Sequence, residues 1–348
     1  MQSTESERTC YGRKAFTAIC KLSKTASASK NPATPLHSIP RTTPERLAAS
    51  SAKTILYLAY GSNLSAETFK GARGIVPLSA VNAHVPSLSL TFDLSGVPYT
   101  EPCFANTKLR DPANDVPKHG EYHKDRWHKG LIGVVYEVTP EDFRTIIATE
   151  GGGASYQDVI VPCYTLAAGG TIVDPHPSGT PFNAHTLLQP RQEPEDGKES
   201  RNVVTTNGHI QRPDPSYAQP SARYLKLITD GAEEHSLPSE YLAFLYNIRP
   251  YTITTKKQKI GQALILAVWF PIIMALFGLG KTLADEDGRI PDWLASLLGL
   301  VFNALWLGYD KFFKDLFGDG ERTMKKSDDD DDEERGCSNW GNEKSAFA

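Results

Sequence analysis

Two apolar runs near the end of this 348-residue chain constrain its fold more than any other feature. Residues 260–280 form 21 consecutive positions without a charge, and residues 293–309 form a second uncharged run of 17 positions. At 1.5 Å per residue, helices of these lengths measure about 31 Å and about 25 Å, and the first matches the hydrocarbon thickness of a bilayer. A polar turn with Asp285, Gly288 and Pro291 separates the two runs. The sequence therefore predicts an apolar helical hairpin within residues 260–313.

Three arrangements of this hairpin are compatible with the sequence: two membrane spans, a re-entrant or interfacial hairpin, or a buried helical pair in a soluble protein. Pro271 interrupts the first run and the second run is short, which weakens the spanning alternative. Lysines flank both outer ends of the pair, namely Lys256, Lys257, Lys259, Lys311 and Lys314. Such flanks favour a hairpin whose two ends face the cytosol. We expect a membrane-associated chain whose preceding domain lies on the cytosolic side.

Charge and cysteine usage exclude several classes of protein. The chain carries 37 basic and 41 acidic residues, a net charge of −4, whereas a nucleic-acid-binding domain normally has a basic excess. Its five cysteines are scattered without C-x-x-C spacing, which argues against a disulfide scaffold or a zinc ribbon and favours a reducing compartment. Cys103 and Cys163 lie in or beside strand-like runs and are expected to pack in the core rather than act as nucleophiles. No continuous apolar segment opens the chain, so no secretory signal is expected.

Both ends of the chain have the composition of disordered segments. Residues 1–53 are rich in Ser, Thr, Ala and Pro, carry nine basic and three acidic residues, and show no helical or strand period. A mitochondrial presequence is the alternative for this arm, although Glu5 and Glu7 count against it. Residues 314–348 are predicted to form an acidic disordered tail, since positions 328–334 are all Asp or Glu.

Between these ends, short predicted strands are separated by few helices. Strands are predicted at residues 54–60, 88–94, 131–138 and 158–166. Helices are predicted at residues 140–149 and 238–248, the first with Thr139 as its cap and Pro140 at its first position, and residues 222–228 are expected to be ordered. Residues 169–220 are polar, rich in proline and predicted to form a long excursion with little structure. This pattern indicates an α+β fold with a barrel or a strongly curved sheet.

Several motifs lack the context that their chemistry requires. Residues 280–282 read Gly-Lys-Thr, but Ala275 stands where a phosphate-binding loop needs its leading glycine. His119, His123 and His128 lie among charged residues of a predicted exposed loop, which argues against a metal site. The chain has no G-x-S-x-G motif, so an α/β-hydrolase has no support.

Two motifs carry candidate chemistry. Residues 57–64 read Tyr-Leu-Ala-Tyr-Gly-Ser-Asn-Leu, which predicts a strand that runs directly into a turn. The backbone amides of such a turn can converge on an anion, and the alternative is an ordinary turn without this role. The second motif is Glu150, which ends an apolar helix and precedes three glycines. It is a candidate general base, and the alternative is an exposed glutamate without a catalytic role. An apolar setting raises the pKa of a carboxyl group toward neutrality, as a general base and acid requires. A carboxylate at a helix C-terminus also opposes the helix dipole, a local conflict that hints at function.

These motifs occur in a specific order with others farther along the chain. The turn at residues 57–64 is followed by Glu150-Gly151, Tyr156, Ala222-Arg-Tyr224, Asp230-Gly231 and Leu237-Pro-Ser-Glu-Tyr241. This ordered set resembles the γ-glutamylcyclotransferase family over residues 54–252. The resemblance is to its fungal branch, which is related to the cyclotransferase of gliotoxin biosynthesis and also carries a C-terminal apolar hairpin. The three glycines after Glu150 and the longer 169–220 excursion depart from the pattern and bear on substrate choice.

The resemblance implies a small mixed β-barrel flanked by helices, within the α+β class. It implies a carbon–nitrogen lyase that cyclises a γ-glutamyl amino acid or peptide to 5-oxoproline without metal or cofactor. Glu150 matches the catalytic glutamate of the family. The expected substrate-binding residues are Tyr57, Leu58, Ala59, Tyr60, Gly61, Ser62, Asn63, Tyr156 and Tyr224. A non-catalytic membrane-tethered binding module, or the same chemistry on a γ-glutamylated sulfur intermediate of secondary metabolism, remain alternatives.

Overall fold

The computed structural model describes residues 39–48, 53–110, 127–150, 156–189, 212, 214 and 217–324. The strands are β1 (Ile55–Ala59), β2 (Ser79–Val85), β3 (Leu88–Val97), β4 (Glu101–Leu109), β5 (Leu131–Val138), β6 (Gln157–Leu166) and β7 (Phe182–Leu188). The α-helices are α1 (Pro44–Ala48), α2 (Pro140–Thr149), α3 (Ala222–Glu234), α4 (Ser239–Tyr246), α5 (Lys256–Leu283), α6 (Asp292–Gly308) and α7 (Lys314–Phe317). Short turns of 3₁₀ helix at Ser62–Leu64 and of π helix at Glu67–Ala72 and Tyr309–Phe313 complete the secondary structure of these residues.

Five strands close into a mixed barrel in the order β1-β5-β2-β6-β7. Four of the pairings are antiparallel, and β7 closes the ring by pairing with β1 in parallel, with Tyr57 opposite His185. The predicted α+β fold with a small mixed barrel is confirmed. Closure of the ring removes the exposed sheet edges that would otherwise be open to pairing with other chains.

The barrel forms around a strand that is buried on both faces. All eight residues of β5 are buried, which is why the sequence Leu-Ile-Gly-Val-Val-Tyr-Glu-Val shows a nearly continuous apolar run instead of an alternating one. β5 pairs with β1 on one side and β2 on the other, while helices cover the outside. Phe69, Phe143 and Tyr136 pack with these strands in the same core, and the rings of Phe69 and Tyr136 stack at 4.4 Å between centroids.

Helix α3 packs directly onto the turn that follows β1. Ser221 caps the helix by accepting a hydrogen bond from the Tyr224 amide at 3.0 Å. Gly231 permits the close approach, because a Cβ atom there would lie 2.3 Å from the Leu64 carbonyl carbon and 2.4 Å from the Ser65 amide nitrogen. This contact fixes the position of the 61–64 turn against the helix that carries Tyr224.

Helices α5 and α6 form the predicted apolar hairpin, and α5 continues through Pro271. Two stretches, Lys256–Leu283 and Asp292–Phe317, are long and apolar enough to cross a membrane, which is weak evidence of membrane association. Only 17% of the most apolar window in the first stretch is buried and 39% of that in the second, so most of this apolar surface faces outward. A soluble helical pair buried in a core, the third sequence-based alternative, does not match this exposure.

Outside the barrel, β3 and β4 pair as a two-stranded antiparallel ribbon. The end of the hairpin where α5 begins and α6 ends is anchored to this β3–β4 ribbon. The Trp306 indole donates to the Gly96 carbonyl at 3.1 Å, and the Gln262 amide donates to the Tyr99 carbonyl at 2.7 Å. The Arg212 guanidinium lies 4.1 Å from the centre of the Trp306 ring and pairs with Glu321 at 2.7 Å. A second small core around these side chains joins the hairpin to the barrel domain.

The other end of the hairpin also contacts the barrel domain. Gly288, in the α5–α6 loop, is buried against α2, where a Cβ atom would lie 2.4 Å from the Arg144 carbonyl oxygen and 3.2 Å from the Ala148 Cβ. Because both ends touch the domain, the hairpin lies along it. A hairpin that carried this loop to the far side of a bilayer could not make the contact.

Three expectations about irregular segments need correction. The 169–220 excursion was expected to hold little structure, yet β7 lies within it, because pairing with β6 and β1 orders a strand that has little pattern of its own. In the arm at residues 1–53, α1 is ordered, and Arg41 forms a parallel β-bridge with Ala80 of β2. The tail expected at 314–348 begins with α7 and a segment through residue 324 in which Glu321 is buried. The acidic block at 328–334 lies outside the described residues.

Candidate active site

Glu150 occupies the C-cap of α2. The helix starts as the sequence predicts, with the Thr139 side chain accepting from the Asp142 amide at 3.1 Å and Pro140 at the first position. Phe143, Ile146 and Ile147 bury one face of the helix against the barrel. The C-terminal end is thereby fixed, and the Glu150 backbone amide bonds the Ile146 carbonyl at 2.9 Å.

The Glu150 carboxylate has two partners from the segment that follows β1. The Asn63 Nδ2 donates to its Oε1 at 2.8 Å, and an Arg73 guanidinium nitrogen donates to the same oxygen at 2.5 Å. The expectation of an apolar setting is therefore wrong, since a cation and an amide hold the carboxylate. Arg73 also donates to the Thr149 hydroxyl, so it links the 61–73 segment to the end of α2.

Both the oxygen and the nitrogen of the Asn63 side-chain amide are held by hydrogen bonds. Its Oδ1 accepts from the Arg73 Nε at 2.7 Å, while its Nδ2 donates to the Tyr57 hydroxyl at 2.9 Å as well as to Glu150. The side chain can face only one way, because the opposite orientation would set its nitrogen against the guanidinium and its oxygen against the carboxylate. Tyr57, Asn63, Arg73 and Glu150 thus form one connected hydrogen-bond network.

Four tyrosines lie close enough to Glu150 to feel its charge: Tyr57, which belongs to the network, and Tyr60, Tyr156 and Tyr224. Burial raises the pKa of each hydroxyl, and the negative charge of Glu150 raises it further. All four are therefore protonated donors at neutral pH. The Tyr60 hydroxyl donates to the Leu187 carbonyl of β7 at 2.6 Å.

The β3–β4 ribbon holds two of these tyrosines through one residue. The Ala105 amide donates to the Tyr224 hydroxyl at 3.1 Å, and the Ala105 carbonyl accepts from the Tyr156 hydroxyl at 3.4 Å. Tyr156 precedes β6 and Tyr224 lies in α3, so Ala105 of β4 connects three elements around the site.

The structure brings most of the predicted site residues together, but not all of them in the same way. Tyr57 and Ala59 lie on one face of β1 and Leu58 on the other, because side chains alternate along a strand. Leu58 is fully buried, and its carbonyl accepts from the Thr186 hydroxyl at 3.1 Å. Gly61 and Ser62 lead into the short 3₁₀ turn that positions Asn63. Leu58 and Ala59 therefore support the site from the core, while the turn and the tyrosines face Glu150.

An open cavity lies beside Glu150. It is shallow and opens to solvent, with an interior of about 10 Å³, room for about one water molecule. Its wall combines residues from four parts of the chain: Ile147, Glu150, Tyr156, Asp158, Leu187 and Arg289. The His185 Nδ1 lies 3.0 Å from the Asp158 carboxylate on the same rim.

Two residues of the site were missed by reasoning from sequence. Arg73 follows a π-helical turn, which is often found at functional sites but has no clear sequence signal. Arg289 lies in the hairpin loop, 139 positions after Glu150 in the numbering, and reaches the cavity only through the docking of that loop on α2. Within the described ranges, no group of three or more His, Cys, Asp or Glu side chains is placed to hold a metal ion. His119 and His123 lie outside those ranges.

Comparison with known proteins gives matches along most of the chain. A family model described as the AclK C-terminal domain matches residues 255–316, the hairpin. The gamma-glutamyl cyclotransferase aclK of Aspergillus oryzae is 30% identical over 276 residues, covering 77% of this chain and 90% of that protein. The gamma-glutamyl cyclotransferase gliK of Aspergillus fumigatus is 30% identical over 270 residues, covering 77% of this chain and 89% of that protein.

The fold and the site define a class of small proteins in which a closed mixed barrel sets a carboxylate opposite a Tyr-Gly-Ser-Asn turn. The similarity to the fungal relatives identifies the family within this class: the chain belongs to the γ-glutamyl cyclotransferase family. The resemblance read from the sequence is confirmed. A solved structure described as a gamma-glutamyl cyclotransferase aligns with 62% of this chain and 99% of that chain at 20% identity, with a TM-score of 0.38.

Proposed function

We propose that the chain is an enzyme that cyclises a γ-glutamyl amino acid or peptide to 5-oxoproline and releases the amine. The observation that carries the proposal is the Glu150 carboxylate, held by Asn63 and Arg73 at the wall of an open cavity. A carboxylate in this position serves as a general base that can return its proton as an acid.

In the proposed reaction the substrate supplies both the nucleophile and the electrophile. Its α-amine nitrogen forms a bond to its own γ-carbonyl carbon, the bond from that carbon to the amide nitrogen breaks, and no water enters the products. The α-ammonium group gives up two protons as it becomes the ring N–H. Glu150 accepts the first before the attack and returns it to the departing nitrogen; the second leaves the ring nitrogen after the new bond forms and passes to the released amine, which departs as an ammonium ion. The amides at the start of the 61–64 turn bind the developing oxyanion or the α-carboxylate of the substrate.

Orientation alone supplies much of the rate in such a ring closure. A well-aligned intramolecular attack gains about 7–11 kcal/mol relative to the bimolecular reaction. Tyr156 lines the cavity, and the buried Tyr60 is fixed by its bond to the Leu187 carbonyl, so the polar groups near Glu150 are held in place before the glutamyl chain folds back. A site of this kind needs few reacting side chains.

The test is release of 5-oxoproline by the full-length chain in mild detergent. The substrate panel contains γ-glutamyl amino acids, glutathione and a γ-glutamylated thioether, and the product is separated by chromatography. Glu150→Gln is expected to lower the rate by about 10²–10⁴. Glu141→Gln, at the exposed start of the same helix, is the matched control and should retain the wild-type rate.

The panel also decides between the alternatives. Release of 5-oxoproline that survives in Glu150→Gln would remove the role assigned to that carboxylate. Binding of panel members without release of product would favour a non-catalytic module. Turnover confined to the thioether would favour the same chemistry in secondary metabolism.

We further propose that the hairpin holds the enzyme on a membrane surface with the barrel domain on the cytosolic side. The outward face of α5 and α6 is apolar along its length, and lysines flank both ends of the pair. The contact of the Gly288 loop with α2 favours an interfacial hairpin, because the loop stays on the side of the barrel domain.

A further inference from the structure

The hairpin contributes a charged side chain to the cavity that holds Glu150. Arg289, from the α5–α6 loop, lines the same cavity as Ile147, Glu150 and Leu187. The segment that supplies it is the part of the chain matched by the AclK C-terminal domain. The hairpin is therefore in contact with the reaction site as well as with its surroundings.

The loop that presents Arg289 has a defined shape. The Asp285 carboxylate accepts hydrogen bonds from the backbone amides of Asp287 at 2.9 Å and Arg289 at 2.8 Å, and the Asp285 amide bonds the Arg289 carbonyl at 2.9 Å. Gly288 adopts a φ of +78°, which favours glycine, and packs on Arg144 and Ala148 of α2. The backbone at Arg289 is thus fixed from within the loop and from the barrel domain.

The order of residues around the cavity indicates which part of a substrate Arg289 meets. Asn63 of the 61–64 turn bonds Glu150, and under the proposed function this turn accepts the γ-glutamyl part. Glu150 must lie beside the amide nitrogen that departs. The rest of the leaving group then lies away from the turn, where the exposed Arg289, which lines the same cavity as Glu150, is available to it.

The cavity wall carries one acidic and one basic side chain. Asp158 has His185 as its neighbour at 3.0 Å. The exposed Arg289 guanidinium forms no ion pair with any residue that the structure describes. An anionic group on the leaving amine is repelled by Asp158 and can be bound bidentately by Arg289.

From this arrangement we infer that Arg289 is a specificity-determining residue that binds a carboxylate on the leaving amine. The inference rests on the proposed cyclotransferase function. It implies that the enzyme prefers γ-glutamyl conjugates of amino acids or peptides to conjugates of amines without a carboxylate. In this role the hairpin is part of the substrate site as well as the membrane-binding element.

The experiment compares two substrates that differ only at that carboxylate, γ-glutamylalanine and γ-glutamylalaninamide, on the full-length chain. Wild type is expected to prefer the carboxylate by about tenfold in kcat/KM, the range of one charge-assisted hydrogen bond at an exposed site. Arg289→Gln should bring the two values to within about threefold of each other. Arg289→Lys, which keeps the charge without the planar fork, should give an intermediate preference.

Two further variants separate recognition from general effects of charge and loop position. Lys281→Gln removes one positive charge from the same end of the hairpin, away from the cavity, and should keep the preference. Gly288→Ala leaves the Arg289 charge in place but introduces a Cβ into the contact with α2, so it should reduce the preference as well.

The outcomes that overturn the inference differ from those that overturn the function. If wild type releases 5-oxoproline equally from both substrates, or if Arg289→Gln keeps the full preference, the role of Arg289 is wrong while cyclotransferase activity stands. If neither these substrates nor the earlier panel yields 5-oxoproline, the proposed function fails and the inference fails with it.

Discussion

The barrel domain and the C-terminal hairpin distribute apolar and polar groups in opposite ways. In the barrel domain, β5 is buried throughout and the site side chains form closed networks, as in the chain from Tyr57 through Asn63 to Arg73. In the hairpin, most of the large apolar side chains on α5 face outward. The barrel domain buries its apolar side chains and pairs its polar groups internally. The hairpin leaves an apolar face exposed, which is typical of a surface that packs against another apolar surface.

The two regions nevertheless meet at the cavity beside Glu150. The barrel supplies the carboxylate and the tyrosines, and the hairpin supplies Arg289. Under the proposed functions, a hairpin that binds the membrane and also reaches the candidate site can couple attachment to substrate selection. Each prediction below tests this contrast between the regions, from the largest expected effect to the smallest.

The same substitution should have opposite effects in the two regions. Gly231→Ala sets a Cβ 2.3 Å from the Leu64 carbonyl carbon, so the barrel domain should lose about 3 kcal/mol of stability, because backbone cannot move aside as a flexible side chain can. Gly278→Ala, in α5 with nothing within 4 Å, should gain about 0.5–1 kcal/mol from helix propensity. Thermal unfolding followed by circular dichroism measures both. Equal effects would show that α3 does not press on the 61–64 turn.

Polar substitutions on the hairpin should reduce membrane binding, and equivalent changes on the barrel should not. Ile260, Leu264 and Val268 are exposed at four-residue spacing along α5. Replacing all three by Gln should lower partition onto vesicles containing anionic lipid by about 100-fold, since each removes roughly 1 kcal/mol of apolar contact. Sedimentation with vesicles gives the partition.

The matched control for vesicle binding replaces three exposed apolar residues of the barrel domain, Leu109, Ile160 and Ile172, by Gln. This variant should sediment as wild type does. Loss of binding in the control alone would place the membrane-facing surface on the barrel, and unchanged binding in the α5 variant would remove the proposed role of the hairpin.

Within the barrel, Arg73 is predicted to act as a positioning residue. Arg73→Gln removes the cation that bonds both Asn63 and Glu150, so kcat should fall about tenfold with little change in KM. Arg73→Lys should recover part of the loss, because lysine restores the positive charge but cannot bond Asn63 and Glu150 at once through a planar guanidinium. Steady-state kinetics with the best panel substrate provides the values. A rise in KM at constant kcat would instead assign Arg73 to substrate binding.

The smallest expected effect concerns a buried carboxylate at the end of the barrel. Burial raises the pKa of Glu137, but hydrogen bonds from Ser79 and Arg46 outweigh it, so the pKa lies below its ordinary value. The stability that these contacts provide is present above the unfolded-state pKa and is lost as the pH falls through the folded-state value. Glu137→Gln should therefore cost about 1 kcal/mol at pH 7 and less at pH 3, in urea unfolding at each pH.

The exposed Glu141→Gln variant serves as the control for this pH series. Its stability relative to wild type should change little between pH 7 and pH 3. If Glu137→Gln costs the same at both values, the contacts of Glu137 do not depend on its charge.

Sequence reasoning succeeded where local pattern and tertiary structure agree. β5 and α2 have the predicted bounds, because the first is buried on both faces and the second has a cap, a proline at its first position and a distinct apolar face. β7 could not be found in this way. Its sequence Phe-Asn-Ala-His-Thr-Leu-Leu lies in a polar, proline-rich region, and it becomes a strand by pairing with β6 and β1.

The same division holds for the site. Glu150 and the residues of the 57–63 turn were predicted from a specific ordered motif, and the structure joins Tyr57, Asn63 and Glu150 in one network, while their roles stay a prediction. Arg73 and Arg289 could not, since each reaches the site through tertiary contacts, the first through Asn63 and the second through the docked hairpin loop. The supposed apolar surrounding of Glu150 was wrong for the same reason, because its partners are not adjacent to it in sequence.

The central claim is that the substrate's own amine, and not water, displaces the leaving group. The most direct measurement is mass spectrometry of the products formed by the full-length chain in ¹⁸O-labelled water, with Glu150→Gln beside it. The account predicts 5-oxoproline without ¹⁸O, together with the free amine, from wild type and very little of either from the variant. Glutamate that carries ¹⁸O would show hydrolysis and contradict the account.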